Sequence, residues 1–445
     1  MPNVIPSSAD SICAVATAPG RGALAVIRLS GPDAHTIAEQ VTHRKLAARQ
    51  AILTSFYDAR GERIDQGIAL YFQAPASFSG EELVEFHTHG SPVVCDLLLD
   101  TLCAHGARLA EPGEFSLRAF MNRKIDLAQA EAIADLISSS TEQCVRLANR
   151  SLQGLFSARV HDVLEQLVAV RTGIEVYLDF PDEDLDVQQA QHFCEQLEQL
   201  DADIAILLEQ AQVGERLHAG ATLAIAGPPN VGKSSLINAL AQSDIAIVTA
   251  VPGTTRDPVA TDIEITGMPV HVVDTAGVRE TEDAIEREGI ARTRRTLEQA
   301  DLVVWMDDVT QPGQAPPEEV DAARSIRVHN KIDLIDQVPE ALEDEVYLSV
   351  KTASGLPALI ELIRARLLGG EQASTPFLAR RRHRLALQRT QEHVQAAVQG
   401  LREARGLELA GEDLRLAQHA LAEITGEFGS EDLLGRIFSE FCIGK

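Results

Sequence analysis

The sequence contains no run of 18 or more apolar residues, so no membrane-spanning helix is expected. It also lacks a basic segment leading into an apolar one at its start. MPNVIPSSADSICAVATAPG therefore does not read as a secretory leader, and a cytoplasmic protein is expected. There is no CxxC pair: Cys13, Cys95, Cys103, Cys144, Cys194 and Cys442 are scattered, as suits reduced thiols better than a disulfide framework. Positive charge is scarce, with 39 Lys and Arg against 66 Asp and Glu, for a formal net charge of −27. A surface this acidic repels phosphate backbones. If RNA is a substrate, a local basic patch or a separate basic partner must hold most of it.

What is present points to several domains, because 445 residues exceed one typical domain. Residues 1–118 read as an α+β unit. SICAVATA and ALAVIRLS are β-like runs around the turn PGRG, and AILTSFYD and QGIALYFQ flank ARGERID as a hairpin would. ELVEFHTH follows as a strand, then PVVCDLLLDTLCAHG, with proline at its start and glycine at its end as a helix prefers. From 119 to 216 the periodicity turns helical: Leu197, Leu200, Ile204 and Leu207 recur at spacings of three and four. Residues 180–186, FPDEDLD, read as a solvated acidic loop. Helical character returns over 371–445, and neither helical stretch has a core of its own. The simplest architecture is one all-α domain built from both, with an α/β nucleotide domain inserted at 217–370.

The inserted segment carries the chemistry. ATLAIAGPPNVGKSS is an apolar run opening into G-x-x-x-x-G-K-S. Gly227 and Gly232 let backbone N–H groups turn in around phosphate oxygens; Asn230, Val231 and Ser235 belong to the same loop. Lys233 reaches the outer phosphates, and the Ser234 hydroxyl would ligate Mg²⁺. The stretch Thr249, Ala250, Val251, Pro252, Gly253, Thr254, Thr255 reads as the next nucleotide-contacting loop, with Thr255 offering a hydroxyl to Mg²⁺. Asp274, Thr275, Ala276 and Gly277 close the run VHVVDTAG, Asp274 for the metal shell and the Gly277 N–H for the γ-phosphate. Asn330, Lys331 and Asp333 of NKID select the base: the Asp333 carboxylate accepts from the N1–H and 2-amino group of guanine, and adenine offers no such donors. Ser349 and Lys351 of SVK fit the last base-contacting loop. GTP rather than ATP is the expected ligand.

Val278 follows DTAG where a glutamine would orient the attacking water, and valine cannot do so. Arg279, Glu282, Asp283 and Glu286 are the nearby candidates. A GTPase switch in ribosome assembly shares all these motifs and is the alternative, but it predicts an appended basic RNA-binding unit such as a KH GXXG loop, and none is found.

VIRLSG, PGEFSLRAFMNRKIDLAQAEAIADLI, PNVGKSS, PGTTRD, DTAGVRE and the terminal FCIGK together resemble the MnmE (TrmE) tRNA-modification GTPases over essentially the whole chain. The resemblance implies an N-terminal folate-binding domain that forms a homodimer, a helical domain and an inserted G domain. It further implies work with the flavoprotein MnmG, which carries FAD and NADH, in a heterotetramer-type complex on the wobble uridine of certain tRNAs, held mainly through that partner. The carbon would come from 5,10-methylene- or 5-formyl-tetrahydrofolate. Carried over by residue, it implies K⁺ at Asn230 with Thr249, Val251 and Thr254, and Glu286 positioning water. It places folate at Arg28, Glu85, Lys124 and Lys445, and a role in modification at Cys442. Pro228 departs from the basic residue usual before PN. Glu85, His87 and His89 alternate on one strand face, but no fourth ligand is in view and a metal is not expected there.

Overall fold

A computed structural model of the chain describes residues 10–179, 187–242, 260–265, 267–274, 296–311, 321, 324–368, 375–403, 407–427, 431–439, 441 and 444. Its contacts divide it into two units, one running to Ala134 and resuming at Leu421, the other Asp135–Ala420.

The first unit is built on a sheet of β1 (Ile12–Val15), β2 (Gly22–Ser30), β3 (Ala51–Tyr57), β4 (Arg63–Phe72), β5 (Leu83–Gly90) and β6 (Arg108–Leu109), in the order β3-β4-β5-β2-β1-β6. Only β1 and β6 pair in parallel. The hairpin is there, with β4 starting at Arg63 rather than Gln66: the Asp58 carboxylate accepts from the Arg60 and Glu62 amides, which shortens the turn. Side chains alternate across a strand. Ala25, Ile27 and Leu29 of β2 and Phe86 of β5 therefore enter the core with helices α1 (Ala34–Thr42) and α2 (Pro92–Ala104). Arg28 and Glu85 fall on the opposite face. Helix α3 (Glu114–Met121) joins a second cluster in which Leu117, Leu127 and Ala130 meet Leu434, Ile437, Phe438 and Phe441. The apolar stripe before the terminal motif thus docks in this unit.

The second unit holds helices Glu142–Leu152, Leu155–Asp179, Val187–Ala219 and Arg381–Arg402. The stripe of Leu197, Leu200, Ile204 and Leu207 is buried, and the helix that carries it packs on Arg381–Arg402. That pairing across the insertion supplies the core that each stretch lacks alone. The chain leaves at Ala219 into the α/β sheet and returns where Leu378 N donates to Ser151 Oγ at 3.2 Å. The inserted sheet comprises β7 (Ala221–Ala226), β8 (Ala260–Ile265), β9 (Met268–Asp274), β10 (Leu302–Asp308), β11 (Ser325–Asn330) and β12 (Glu345–Tyr347), ordered β12-β11-β10-β7-β9-β8. All neighbours are parallel except β8 and β9. The architecture is an α+β domain, an all-helical domain and an inserted α/β P-loop domain. Among the described residues no helix is long and apolar enough to cross a membrane.

Candidate nucleotide and one-carbon sites

β7 runs between β9 and β10, buried over Leu223–Ala226, so its C-terminal end feeds a loop at the carboxyl edge of a parallel sheet, where such folds bind ligands. At Gly227 φ is +143°, and a Cβ would stand 2.1 Å from the Met306 carbonyl oxygen, so only glycine fits. At Gly232, with φ +103°, a Cβ would stand 2.5 Å from Asn330 Nδ2. Asn230 holds φ +63°, a left-handed conformation that asparagine adopts more readily than other residues with a side chain.

The helix that follows, Lys233–Gln242, starts at the lysine of the motif. Lys233 Nζ donates to the Gly227 and Pro228 carbonyls, each at 2.9 Å. Burial holds its ammonium below the usual range, against the opposing pull of Asp274. Ser234 Oγ donates to Asp274 Oδ2 at 3.0 Å, while Asp274 Oδ1 is buried with no hydrogen-bond partner among the described residues. A hydroxyl beside a carboxylate oxygen with unmet capacity is a donor set that fits a hard divalent cation such as Mg²⁺.

On the base side Asn330, at the end of β11, bridges two loops. Its Nδ2 donates to the Val231 carbonyl at 2.7 Å and its Oδ1 accepts from Val350 N at 3.1 Å. Asp333 Oδ1 accepts from Ser349 Oγ at 2.7 Å, which orients the carboxylate. Lys331 Nζ reaches Asp308 Oδ2 at 2.6 Å. Burial works to raise the Asp308 carboxyl, but hydrogen bonds from Lys331 and Thr310 outweigh it and hold it low. A cleft of about 700 Å³ is lined by Asn230, Gly232, Ser235, Asn330, Asp333 and Lys351.

In the first unit Arg28 Nε donates to Glu85 Oε1 at 3.0 Å, and the guanidinium lies over the Phe78 ring at 5.4 Å. Lys124 Nζ donates to the Pro75 carbonyl at 3.0 Å. His87 Nε2 is 3.5 Å from Glu85 Oε2, whereas His89 Nδ1 is engaged with Asp65 Oδ1 at 2.8 Å. Among the described residues no three His, Cys, Asp or Glu side chains are grouped to hold a metal.

Comparison with known proteins decides the family. The family described as GTP-binding protein TrmE N-terminus matches residues 11–124, and the MnmE helical domain matches residues 127–442. A protein of Thiobacillus denitrificans called tRNA modification GTPase MnmE is 49% identical over 455 residues, covering 100% of each chain. Its Nitrosomonas europaea namesake is 47% identical over 457 residues, covering 99% of this chain and 100% of the other. This chain belongs to the MnmE (TrmE) family. Among solved structures, Aquifex aeolicus Era bound to GDP·AlF4⁻ is 26% identical with a TM-score of 0.27, covering 39% of this chain and 66% of that one.

Of the residues the sequence singled out, the structure brings Asn230, Val231, Gly232, Lys233, Ser234, Ser235 and Asp274 together. Asn330, Lys331, Asp333, Ser349 and Lys351 gather on the base side. Thr249, Ala250, Val251, Pro252, Gly253, Thr254, Thr255, Thr275, Ala276, Gly277, Glu286, Cys442 and Lys445 lie outside the described residues. Gly444 is described, at φ +92° and packed so closely that a Cβ would be 2.3 Å from the Val15 carbonyl oxygen. Gly444 therefore rests at the end of β1. Sequence reasoning missed Asn238, which lines the cleft one turn beyond Ser234, and Asp308, which anchors Lys331. Helical spacing from the P-loop serine could have found the first. It also missed Phe78, for which no local signal existed.

Proposed function

We propose that this chain is a potassium-stimulated GTPase that acts with the flavoprotein MnmG to modify C5 of the wobble uridine of certain tRNAs, drawing the carbon from methylene-tetrahydrofolate. As a member of the MnmE family it is a GTP hydrolase and a component of tRNA modification. The observation that carries the GTPase reading is the cleft in which Asn330 ties the phosphate loop to the loop of Ser349, whose hydroxyl in turn holds Asp333. The full-length likeness to proteins named tRNA modification GTPase supports the RNA substrate.

In this reading the loop amides around Gly232 bind the phosphates, and Lys233 leaves its two carbonyls for the β/γ-oxygens. Ser234, with Thr255 and Asp274 behind it, would hold Mg²⁺, and Asn230 with Thr249, Val251 and Thr254 would hold K⁺. When bound, these ions supply the charge neutralisation that an arginine finger gives elsewhere. Asp333 reads the guanine edge, and Glu286 positions the water that Val278 cannot. In the first unit Arg28, Glu85, Lys124 and Lys445 bind the tetrahydrofolate. The working assembly is a cytoplasmic homodimer joined by MnmG, whose FAD and NADH supply the redox chemistry and whose surface holds most of the tRNA, since a chain of net charge −27 holds phosphates poorly.

Potassium is expected to raise GTP turnover strongly and sodium weakly, and Asn230→Ala to flatten the difference. Equal turnover of the unaltered protein in the two salts would remove the potassium site from this reading. Cys442→Ser is expected to keep potassium-stimulated hydrolysis and dimerisation but to lose modification, read by mass analysis of wobble uridine in cells carrying only the variant. Normal modification in those cells would make the thiol incidental.

A further inference from the structure

Arg28 and Glu85 face each other on paired strands, and the loop of residues 73–82 is what joins them to Lys124. Phe78 lies under the Arg28 guanidinium, Pro75 receives Lys124, and the Ser79 carbonyl accepts from Asn122 Nδ2 at 2.8 Å. Gly80, at φ +79°, presses on the stem of Lys124: a Cβ there would be 2.9 Å from Asn122 Cβ and 3.2 Å from Lys124 Cγ. The back of this loop is held by a buried polar chain. Ser79 Oγ and Ser30 Oγ are 2.6 Å apart, and Ser30 Oγ donates to Glu81 Oε2 at 2.9 Å. Arg118, only 4% exposed, donates through Nη1 to both Glu81 oxygens at 3.2 and 3.3 Å. Ser30 stands two residues beyond Arg28 on β2, and Arg118 lies on α3, the helix that leads to Lys124. One carboxylate thus ties together the strand, the loop and the helix that carry the site.

We propose that Glu81 is a positioning residue for the one-carbon-carrier site, a statement that rests on the tetrahydrofolate reading above. The charge balance separates this role from a purely structural one. Arg108 donates to Asp10 and Glu114, and Arg118 donates to Asp10, Glu114 and Glu81. Burial acts to raise the Glu114 carboxyl, but hydrogen bonds from Arg108, the Glu111 amide and Arg118 prevail and hold it low. Asp10 and Glu114 alone match the two guanidiniums. Glu81 is a third carboxylate, beyond what neutrality requires, and a part-buried extra charge costs stability unless it is well held. What it adds is a fixed direction: both oxygens are engaged, one of them by Ser30, so the loop cannot shift without breaking a charge-assisted bond. Because Arg118 keeps Asp10 and Glu114 when Glu81 is neutralised, the isosteric Glu81→Gln is expected to fold.

The test uses the full-length protein, Glu81→Gln, and Ser79→Ala as a second variant that leaves every buried ion pair in place. The probe is 5-formyl-tetrahydrofolate, titrated by calorimetry. Alongside it, amine acetylation of Lys124 relative to the other lysines is followed by peptide mass analysis. Glu81→Gln is expected to bind the probe about 10-fold more weakly, the worth of one charge-assisted hydrogen bond, and Ser79→Ala, which loses only neutral hydrogen bonds to Ser30 and the Glu81 amide, about 3-fold more weakly. Each should also acetylate faster at Lys124, with GTP turnover unchanged and the melting temperature lowered only as far as one buried hydrogen bond accounts for. If the unaltered protein binds no 5-formyl-tetrahydrofolate but Lys124 still becomes more reactive in the variants, the folate reading falls and the positioning role stands. Unchanged affinity and unchanged Lys124 reactivity in folded variants overturn the proposal. If Glu81→Gln does not fold, Ser79→Ala decides by the same readings.

Discussion

Asp333→Asn is expected to weaken GTP binding by about 10²–10⁴-fold, because two hydrogen bonds to a charged acceptor are lost at about 1.5–3 kcal/mol each. The same change should transfer preference to xanthosine triphosphate. Xanthine replaces the 2-amino donor of guanine with a carbonyl, and an asparagine amide can donate to it where a carboxylate can only repel. The structure makes this a test of the base and not of the fold. Asp333 is solvent-exposed and its one hydrogen bond among the described residues comes from Ser349 Oγ at 2.7 Å, which an asparagine oxygen accepts equally well. Parallel titrations with fluorescent GTP and xanthosine triphosphate analogues read the result. Undiminished GTP affinity in the variant would mean that another group reads the base.

Glu286→Ala should leave GTP affinity nearly intact while lowering kcat by about 10²–10⁴-fold, the usual worth of a group that assists proton transfer or places the water. Glu286 itself lies outside the described residues, so the expectation stands on chemistry and chain order. Val278 has no polar group to hold water, and the DTAG segment departs from Asp274, 3.0 Å from the P-loop hydroxyl. A residue acting only in the transition state lowers kcat and kcat/KM together. Single-turnover hydrolysis in potassium, set beside an equilibrium titration, separates that outcome from a loss of binding. If turnover is unchanged, Glu282, one turn earlier on a helical spacing, takes its place as the candidate.

Much of the nucleotide site was legible because each of its parts is a short contiguous motif with a local physical reason. Gly227 and Gly232 are demanded by close backbone approach, Lys233 and Ser234 follow on the first helical turn, and NKID closes a parallel strand. Local patterning also marked ALAVIRLS as a strand, and the sheet then sets Ile27 inward and Arg28 on the other face. The hairpin was visible too, though its turn length depended on the Asp58 side chain and not on periodicity.

The rest needed the folded chain. The stripe of Leu197, Leu200, Ile204 and Leu207 and the helical character of 371–445 pointed to one shared domain, but which helix faces which is a pairing across more than 160 residues, and periodicity carries no partner label. Docking of Phe438 and Phe441 against Leu117 and Leu127 is another such pairing, since an apolar stripe fits any apolar partner of the right shape. Asp308 beneath Lys331 and Phe78 beneath Arg28 are single residues with no motif around them; only the sheet and the loop bring them into contact. The same holds for Ser30, Glu81 and Arg118. By itself the sequence determined which chemistries the chain carries, because those depend on residue types at short spacing. The tertiary structure alone decided which distant side chains hold them in place, because long-range contacts arise from packing that no local pattern encodes.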